Sequence, residues 1–323
     1  MSESPRDTSP ATPTGSPRRV VIAGGSGALG RRICADLVAR GIEVVVLTRS
    51  VDPVWSIRQV RWDGETRGDW VRELDAPGTA LINLAGKLVD VRPTAANIAE
   101  LRRSRVIPTR LLADVAEGLA EPLTHWVQAS TTAIWSDAGD TWCTEETPLP
   151  DPGLPQMTGV AAPWEEAAQG ARCGHQTILR TSIVLDTGAP ALRTLSRLTR
   201  VGLGGRVGSG QQWFSWIHID DWLAIARAAL GLTPGLELPD GVLVAATDAP
   251  VRNAELMAAL RRHLHRPAAP PTPTPLLRLG AVVLRSDPLL GLTGRRARSQ
   301  VLADRDFRFA FGDLDSALAD LIG

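Results

Sequence analysis

An α/β fold, a doubly wound parallel sheet followed by a smaller α+β C-terminal region, is predicted from three features of the sequence. Short runs rich in β-branched residues alternate with longer helical stretches from Arg19 to Leu185. The runs are nearly continuous in apolar residues, as strands buried on both faces must be. A glycine-rich loop joins the first run to the first helix, and helices between runs supply the crossovers that parallel strands require.

Taken in order, VVIAGG (20–25) is the first strand, a helix covers about 28–40, VVVLT (44–48) is the second strand and VRW (60–62) the third. ALINLAG (80–86) is the fourth strand, followed by a long helix over about 94–118. HWVQAS (125–130), a helix near 157–170, and TILRTSIVL (177–185) complete the alternation. Beyond Leu185 the pattern loosens into a Gly-rich stretch, a helix starting around Asp220, a strand at VLVAAT (242–247) and a helix over about 252–265. Pro267, Pro270, Pro271, Pro273 and Pro275 then form either a linker or one wall of a pocket. Residues 1–18, rich in Ser, Pro and Thr, read as a disordered tail. The expected organisation is 19–185 as a dinucleotide-binding domain, with part of 219–250 returning to it, and 186–323 as the substrate-cleft and C-terminal region.

Composition narrows the function. The chain of 323 residues carries 35 Lys+Arg against 35 Asp+Glu. Zero net charge gives no general pull toward nucleic acid, and no apolar run is long enough to span a bilayer, so neither is expected as a partner. Cys34, Cys143 and Cys173 are odd in number and far apart, which fits neither a disulfide framework nor a metal site; a reducing, cytoplasmic setting is expected. Tyrosine is absent and Lys87 is the only lysine. Any mechanism that needs a tyrosine is excluded.

The loop AGGSGALG carries the clearest chemistry. Gly24 permits the tight turn, Gly27 lets the backbone approach a pyrophosphate, and Gly30 lets the helix pack close to the strand. Gly24, Gly25, Ser26, Gly27, Ala28 and Leu29 would line this cradle, with the free N–H groups of the helix start facing the anion. The second strand ends in Thr48-Arg49-Ser50 with no acid to meet ribose hydroxyls. Arg49 suits a 2′-phosphate, and Ser50 lies beside it, so NADP(H) is favoured over NAD. Asp63 either meets the adenine edge or caps a turn, and Leu84, Ala85 and Gly86 follow the fourth strand at the edge where the nucleotide would lie.

From Arg19 onward the chain resembles the extended short-chain dehydrogenase/reductases, and within them an atypical, epimerase-like subfamily with a small C-terminal domain of unknown function. The resemblance is carried by AGGSGALG with TRS, INLAG (82–86), SRVIPTRLL (104–112), LRTSIVL (179–185), GLGGRVGSGQQWFSWIHIDD (202–221) and DFRF (306–309). It implies a Rossmann-type domain holding NADP(H), with substrate in a cleft against the residues beyond about 185.

The same resemblance implies a hydride-transfer site built on a Tyr-x-x-x-Lys pair and a Ser or Thr. Here the tyrosine position falls at about Met157 and the lysine position at about Ala161, neither of which carries a proton. Ser130 and Thr131 fill the Ser/Thr position. Sugar-nucleotide epimerases of this fold carry an arginine four residues before their His-x-Asp-Asp motif; Phe214 stands there, flanked by Trp213 and Trp216. An uncharged wall of Trp135, Met157, Gln212, Trp213, Phe214 and Trp216 either receives a small, largely apolar molecule or has rings that merely pack the cleft. Arg180 is a further substrate-side candidate, facing the cofactor or a substrate acid. Lys87 is the leading acid/base candidate, its pKa lowered by burial, with neutralisation of a cofactor phosphate as the alternative. Asp90, Arg92, Asp137, Glu145 and Glu146 are weaker candidates on loops, and His218 reads as a structural strand-end histidine. Three functions stay open: an NADP-dependent enzyme of altered mechanism, a lyase, isomerase or cyclase without net redox, and a non-enzymatic NADP-binding sensor, as monomer or homodimer.

Overall fold

The computed structural model describes residues 15–323. Strands β1 (Arg19–Ala23), β2 (Glu43–Thr48), β3 (Arg58–Arg61), β4 (Thr79–Asn83), β5 (Leu123–Thr131), β6 (Cys173–Thr181) and β7 (Gly241–Ala245) form one seven-stranded sheet. Its order is β7-β6-β5-β4-β1-β2-β3, and every pairing is parallel. The longer helices are α1 (Ala28–Ala39), α2 (Ala95–Ala116), α3 (Thr158–Glu166), α4 (Pro190–Arg200), α5 (Ile219–Ala229), α6 (Asn253–His263), α7 (Thr274–Leu284) and α8 (Leu314–Ile322).

The alternation of side chains along each strand builds a core on both faces. Val20 and Ile22 of β1 pack with Ile33 and Leu37 of α1 and with Trp222 and Ile225 of α5. Val21 and Ala23 point the other way, toward Leu112 and Val115 of α2 and Trp126. Apolar residues at consecutive strand positions are therefore required, as the sequence pattern implies. Because β4 and β2 lie on opposite sides of β1, the chain reverses direction of winding there, and the crevice at the carboxyl ends of β1 and β4 is the place such sheets receive ligands.

Two expectations need correction. TILRTSIVL is not one strand. Both the N–H and the hydroxyl of Ser182 donate to Ala245 O, at 3.0 and 2.8 Å, which ends β6, and Ile183–Leu185 leaves the sheet to pair with Trp216–His218. The tail expected over 1–18 is shorter: 1–14 lies outside the described residues, whereas Ser16 Oγ donates to Gly231 O and Arg18 N to Gly78 O, holding 16–18 against the sheet.

The C-terminal region has its own core. Leu256 and Leu260 of α6, Leu314 and Leu318 of α8, Leu192 of α4 and the fully buried Trp216 pack together. The proline segment is neither a linker nor a wall of the cavity described below. Thr272 exchanges backbone hydrogen bonds with Arg206 O and Gly208 N, at 2.8 and 2.9 Å, fastening the segment to the Gly-rich stretch. Among the described residues no helix is long and apolar enough to cross a membrane, and no group of three or more His, Cys, Asp or Glu side chains is placed to hold a metal ion.

One buried base is expected to make the fold acid-sensitive. His125 on β5 stacks on His175, ring centroids 5.1 Å apart, and burial lowers its pKa from 6.5 to about 4. Below 6.5 the unfolded chain takes up a proton that the folded chain resists until about 4, so this residue removes stability as pH falls through that window. His125→Gln is expected to flatten the pH dependence of the unfolding free energy between 6.5 and 4 in urea titrations. An unchanged slope would show that other groups set it.

Candidate functional site

The glycine loop is built as the sequence expects, for distinct steric reasons at each position. Gly24 has φ +78°, and a Cβ there would meet Leu84 C and O at 2.8 Å and Ala85 N at 2.9 Å. This contact seats the loop on the Leu84-Ala85-Gly86 segment, whose course is fixed by Leu84 N donating to Ala23 O and Ala85 N donating to Asn83 Oδ1. A Cβ at Gly25 would meet the Val46 side chain at 2.9 Å, and one at Gly30 would meet Gly25 Cα at 2.5 Å, so α1 packs directly on the loop. Gly27 differs: its Cβ would meet only Gly24 O, at 3.4 Å. Its Cβ position is open.

Gly27 is also the N-cap of α1, and no side chain caps the helix or places an acid in its first turn. The N–H groups of Ala28, Leu29 and Gly30 have no intrahelical partner at this position, so the loop presents donors and the positive end of the helix together. These are the requirements of a pyrophosphate cradle, and the residues present fit one.

Around the end of β2, Thr48 Oγ1 donates to Ser50 O at 3.0 Å and lies 3.4 Å from Ser26 Oγ, tying the strand end to the loop. Arg49 and Ser50 are exposed. Arg49 makes no hydrogen bond or ion pair with the other described residues, which leaves its guanidinium available. Sequence reasoning missed Arg31 and Asp52 here. Arg31 donates to Ser26 O at 3.3 Å and to Asp52 Oδ2 at 3.0 Å, and its Cζ stacks 4.4 Å from the Trp55 ring centroid. Hydrogen bonds from Arg31 and from Val54 N hold the Asp52 carboxyl below its usual range. Asp63 takes the turn-capping alternative: its carboxylate accepts from Thr66 Oγ1 and from the N–H groups of Glu65 and Thr66, and those bonds lower its pKa to about 2.

Three of the positions expected from the sequence to carry hydride-transfer chemistry meet at one cavity of about 90 Å³, beyond the carboxyl ends of β4 and β5. Thr131, Met157 and Ala161 all line it, and so do Arg105 and Trp164. Thr131 ends β5 and Met157 is the N-cap of α3, so the sheet and the helix bring them together across 26 residues of chain. Thr131 Oγ1 accepts from Ala133 N at 3.1 Å, leaving its own proton free. Apolar side chains of Val91, Leu101, Val160 and Leu290 complete much of the wall, and Gln156 with Asp287 forms a polar corner. Gln156 Nε2 donates to Asp287 Oδ2 at 3.2 Å and Leu289 N donates to Oδ1 at 2.9 Å.

Several expected site residues stand elsewhere. Ser130 faces away from the cavity into a buried cluster, where its hydroxyl donates to Glu165 Oε1 at 2.5 Å. Arg180 is turned to Glu165 and does not line the cavity. It is paired across the sheet with Ser130, so both side chains leave the same face toward α3, and it forms a bidentate bridge to Glu165 at 2.9 and 2.8 Å. Trp135 is buried against Arg180, with Nε1 bonded to Thr147 O. The aromatic wall is likewise corrected. Trp216 is fully buried with Nε1 donating to Ala249 O, and Phe214 packs on the C-terminal core. Trp213 is in contact with Arg252 and Arg296, 3.8 and 4.5 Å from its centroid, and donates to Asp140, while Gln212 Nε2 is spent on Val207 O and Gly291 O. Of that wall only Met157 lines the cavity.

Lys87 is exposed rather than buried. Its backbone does more than its side chain: the N–H donates to Ser104 Oγ and the carbonyl accepts from Arg105 Nη2 at 2.8 Å. The loop acids are structural ties to the C-terminal region. Glu145 accepts from Val244 N, Ser299 Oγ and Gln300 N, Asp137 from Gly294 N, and Asp90 from Ser286 Oγ, while Arg92 donates to Val282 O. His218 Nδ1 accepts from Asp220 N and caps α5, matching its structural reading.

The comparisons with known proteins follow the same outline. The model of the NAD dependent epimerase/dehydratase family matches residues 20–159, and that of a Domain of unknown function (DUF1731) matches residues 272–321. "Epimerase family protein SDR39U1" of Bos taurus is 30% identical over 94% of this chain and 99% of its own length. "Epimerase family protein Mb2239" of Mycobacterium bovis is 30% identical over 93% of this chain and 96% of its own. The structure of human epimerase family protein SDR39U1 (isoform2) with NADPH superposes with a TM-score of 0.81 at 26% identity, covering 94% of this chain and 99% of that one.

Proposed function

Since the chain belongs to the NAD dependent epimerase/dehydratase family, we propose that it binds NADP(H) at the glycine loop and acts on a small, largely apolar molecule in the cavity beside it. The observation that carries this reading is the open side of Gly27 at an uncapped helix start, together with an exposed Arg49 directly after β2. The NADPH in the human relative's structure supports the choice of nucleotide. Bound nucleotide would supply or accept a hydride.

The residues around it have separable tasks. The N–H groups of Ala28, Leu29 and Gly30 would hold the pyrophosphate, and Arg49 the 2′-phosphate. Thr131 would hold a substrate oxygen through its free hydroxyl proton. Met157 and Ala161 fill the places where a tyrosine and lysine would stand, so they exclude water and move no proton. Ser130 and Lys87 are less suited to proton transfer than Thr131, the first because Glu165 holds its hydroxyl and the second because it is exposed. The lack of a proton carrier at Met157 and Ala161 favours, as a second reading, a lyase, isomerase or cyclase that keeps the nucleotide without net redox.

Nucleotide choice is the direct test. By tryptophan fluorescence, NADPH is expected to bind about 10- to 150-fold more tightly than NADH, the equivalent of one charge-assisted contact of about 1.5 to 3 kcal/mol. Arg49→Ala should erase that preference. Equal affinities in the wild type would remove Arg49 from the site, and absorbance at the nicotinamide band on adding substrates separates the redox reading from the second one.

A further inference from the structure

The long helix α2 puts a charge where its apolar stripe should continue. Leu101, Arg105, Pro108, Thr109 and Leu112 follow one face at three- and four-residue spacing, and all are buried. Arg105 is only 8% exposed. Its Nη1 donates to Leu101 O at 3.0 Å and its Nη2 to Lys87 O at 2.8 Å. Both acceptors are neutral carbonyls.

Among the described residues, no carboxylate pairs with this cation. Burial is the one influence on its pKa, lowering it to about 10, with no acid near enough to oppose the shift. A buried guanidinium ordinarily has an acidic partner, because desolvation of an unpaired charge is costly. Arg180, the other buried arginine of this domain face, has one in Glu165. Arg105 has instead an open side, since it lines the 90 Å³ cavity.

The surroundings hold the guanidinium in place. Trp164 lies against it, 5.1 Å from Cζ to the ring centroid, and Trp164 Nε1 donates to Thr109 Oγ1 at 3.2 Å. Asn83 Nδ2 donates to the same oxygen at 2.8 Å and to Gln128 Oε1 at 3.0 Å, so a buried network beneath the cavity fixes the ring. The cavity's own acid, Asp287, is already occupied by Leu289 N and Gln156 Nε2. Cation and acid thus give the cavity a direction, with Val91, Leu101, Met157, Val160 and Leu290 as apolar lining.

We propose that Arg105 is a carboxylate-binding residue, and that the cavity takes a small organic acid whose carboxylate pairs with this guanidinium while its apolar body rests on the surrounding wall. The proposal rests on reading the cavity as the substrate site, and it narrows the substrate class from a small apolar molecule to a small apolar acid. A bound carboxylate would supply the counter-charge the fold withholds.

The test uses calorimetric titration of the full chain, both nucleotide-free and NADPH-loaded, with butyrate and isovalerate and with their uncharged amides. Wild type is expected to bind at least one acid about tenfold or more tightly than its amide, the scale of a charge-assisted pair. Arg105→Met should erase the acid preference, Arg105→Lys should keep part of it, and both should bind NADPH within about threefold of wild type. The proposal is overturned if neither acid binds wild type, if acid and amide bind alike, or if Arg105→Met keeps the preference. It is also overturned if Arg105→Met loses NADPH affinity together with the preference, which would make Arg105 a nucleotide-phosphate contact. Should Arg105→Met fail to fold, the wild-type comparison of acid with amide and Arg105→Lys still decide it. Failure of NADPH to bind would sink the nucleotide reading alone, because the nucleotide-free arm reads the acid site independently.

Discussion

Gly27→Val is expected to weaken NADPH binding by about 10³-fold or more while leaving the folded structure and its melting temperature nearly unchanged. The pyrophosphate would lose contacts to two or more N–H groups at about 1.5 to 3 kcal/mol each, and about 4 kcal/mol corresponds to 10³ in affinity. The fold should tolerate the change because Gly27 has φ −69° and ψ 169°, extended backbone open to any residue, and its Cβ would meet only Gly24 O at 3.4 Å. The neighbouring glycines provide the contrast. Gly30→Val would drive a side chain into Gly25 Cα, 2.5 Å from the ideal Cβ, and should destabilise the protein whether or not nucleotide is present. Fluorescence titration with thermal melts separates the two outcomes. Retained NADPH binding in Gly27→Val would mean that the loop serves the fold alone.

Arg180→Met should have the largest effect on stability, a loss of about 3 to 5 kcal/mol. The substitution leaves the Glu165 carboxylate 6% exposed and without its bidentate partner, and breaking a buried pair costs more than the pair itself contributes. Ser130 would still donate to Glu165 Oε1, but one hydroxyl does not replace two guanidinium N–H groups. The double variant Glu165→Leu with Arg180→Met, which buries no charge, should recover much of the loss in urea denaturation. A loss below about 1 kcal/mol in the single variant would contradict the structural role. Reduced ligand binding at unchanged stability would return Arg180 to the list of substrate contacts.

The sequence by itself determined the parts of this protein that depend on neighbours along the chain. Apolar runs at consecutive positions could only be strands buried on both faces, and β1, β2, β4 and β5 stand where those runs lie. The glycine loop was legible because turn, close approach and helix start are all decided within the seven residues from Gly24 to Gly30, and Arg49 because it immediately follows a strand whose end must reach the loop. The absence of tyrosine needed no structure at all. Which polar side chains meet was decided only by the tertiary structure. Ser130 and Thr131 are adjacent in sequence, yet the pleat sends one into the Glu165–Arg180 cluster and leaves the other on the cavity wall. The aromatic residues of 213–216 look like a pocket wall until arginines and a C-terminal core arrive from 252, 296 and 314–318 to cover them. Arg105 carried one local signal, a charge on an apolar helical stripe, but its meaning required Met157 and Leu290 to be brought beside it and the cavity's one acid, Asp287, to be engaged by Gln156 and Leu289 instead. Strand and loop propensities act over a few residues, whereas burial and charge compensation are set by whatever the folded chain places within a few ångströms, and that is fixed only when distant segments pack.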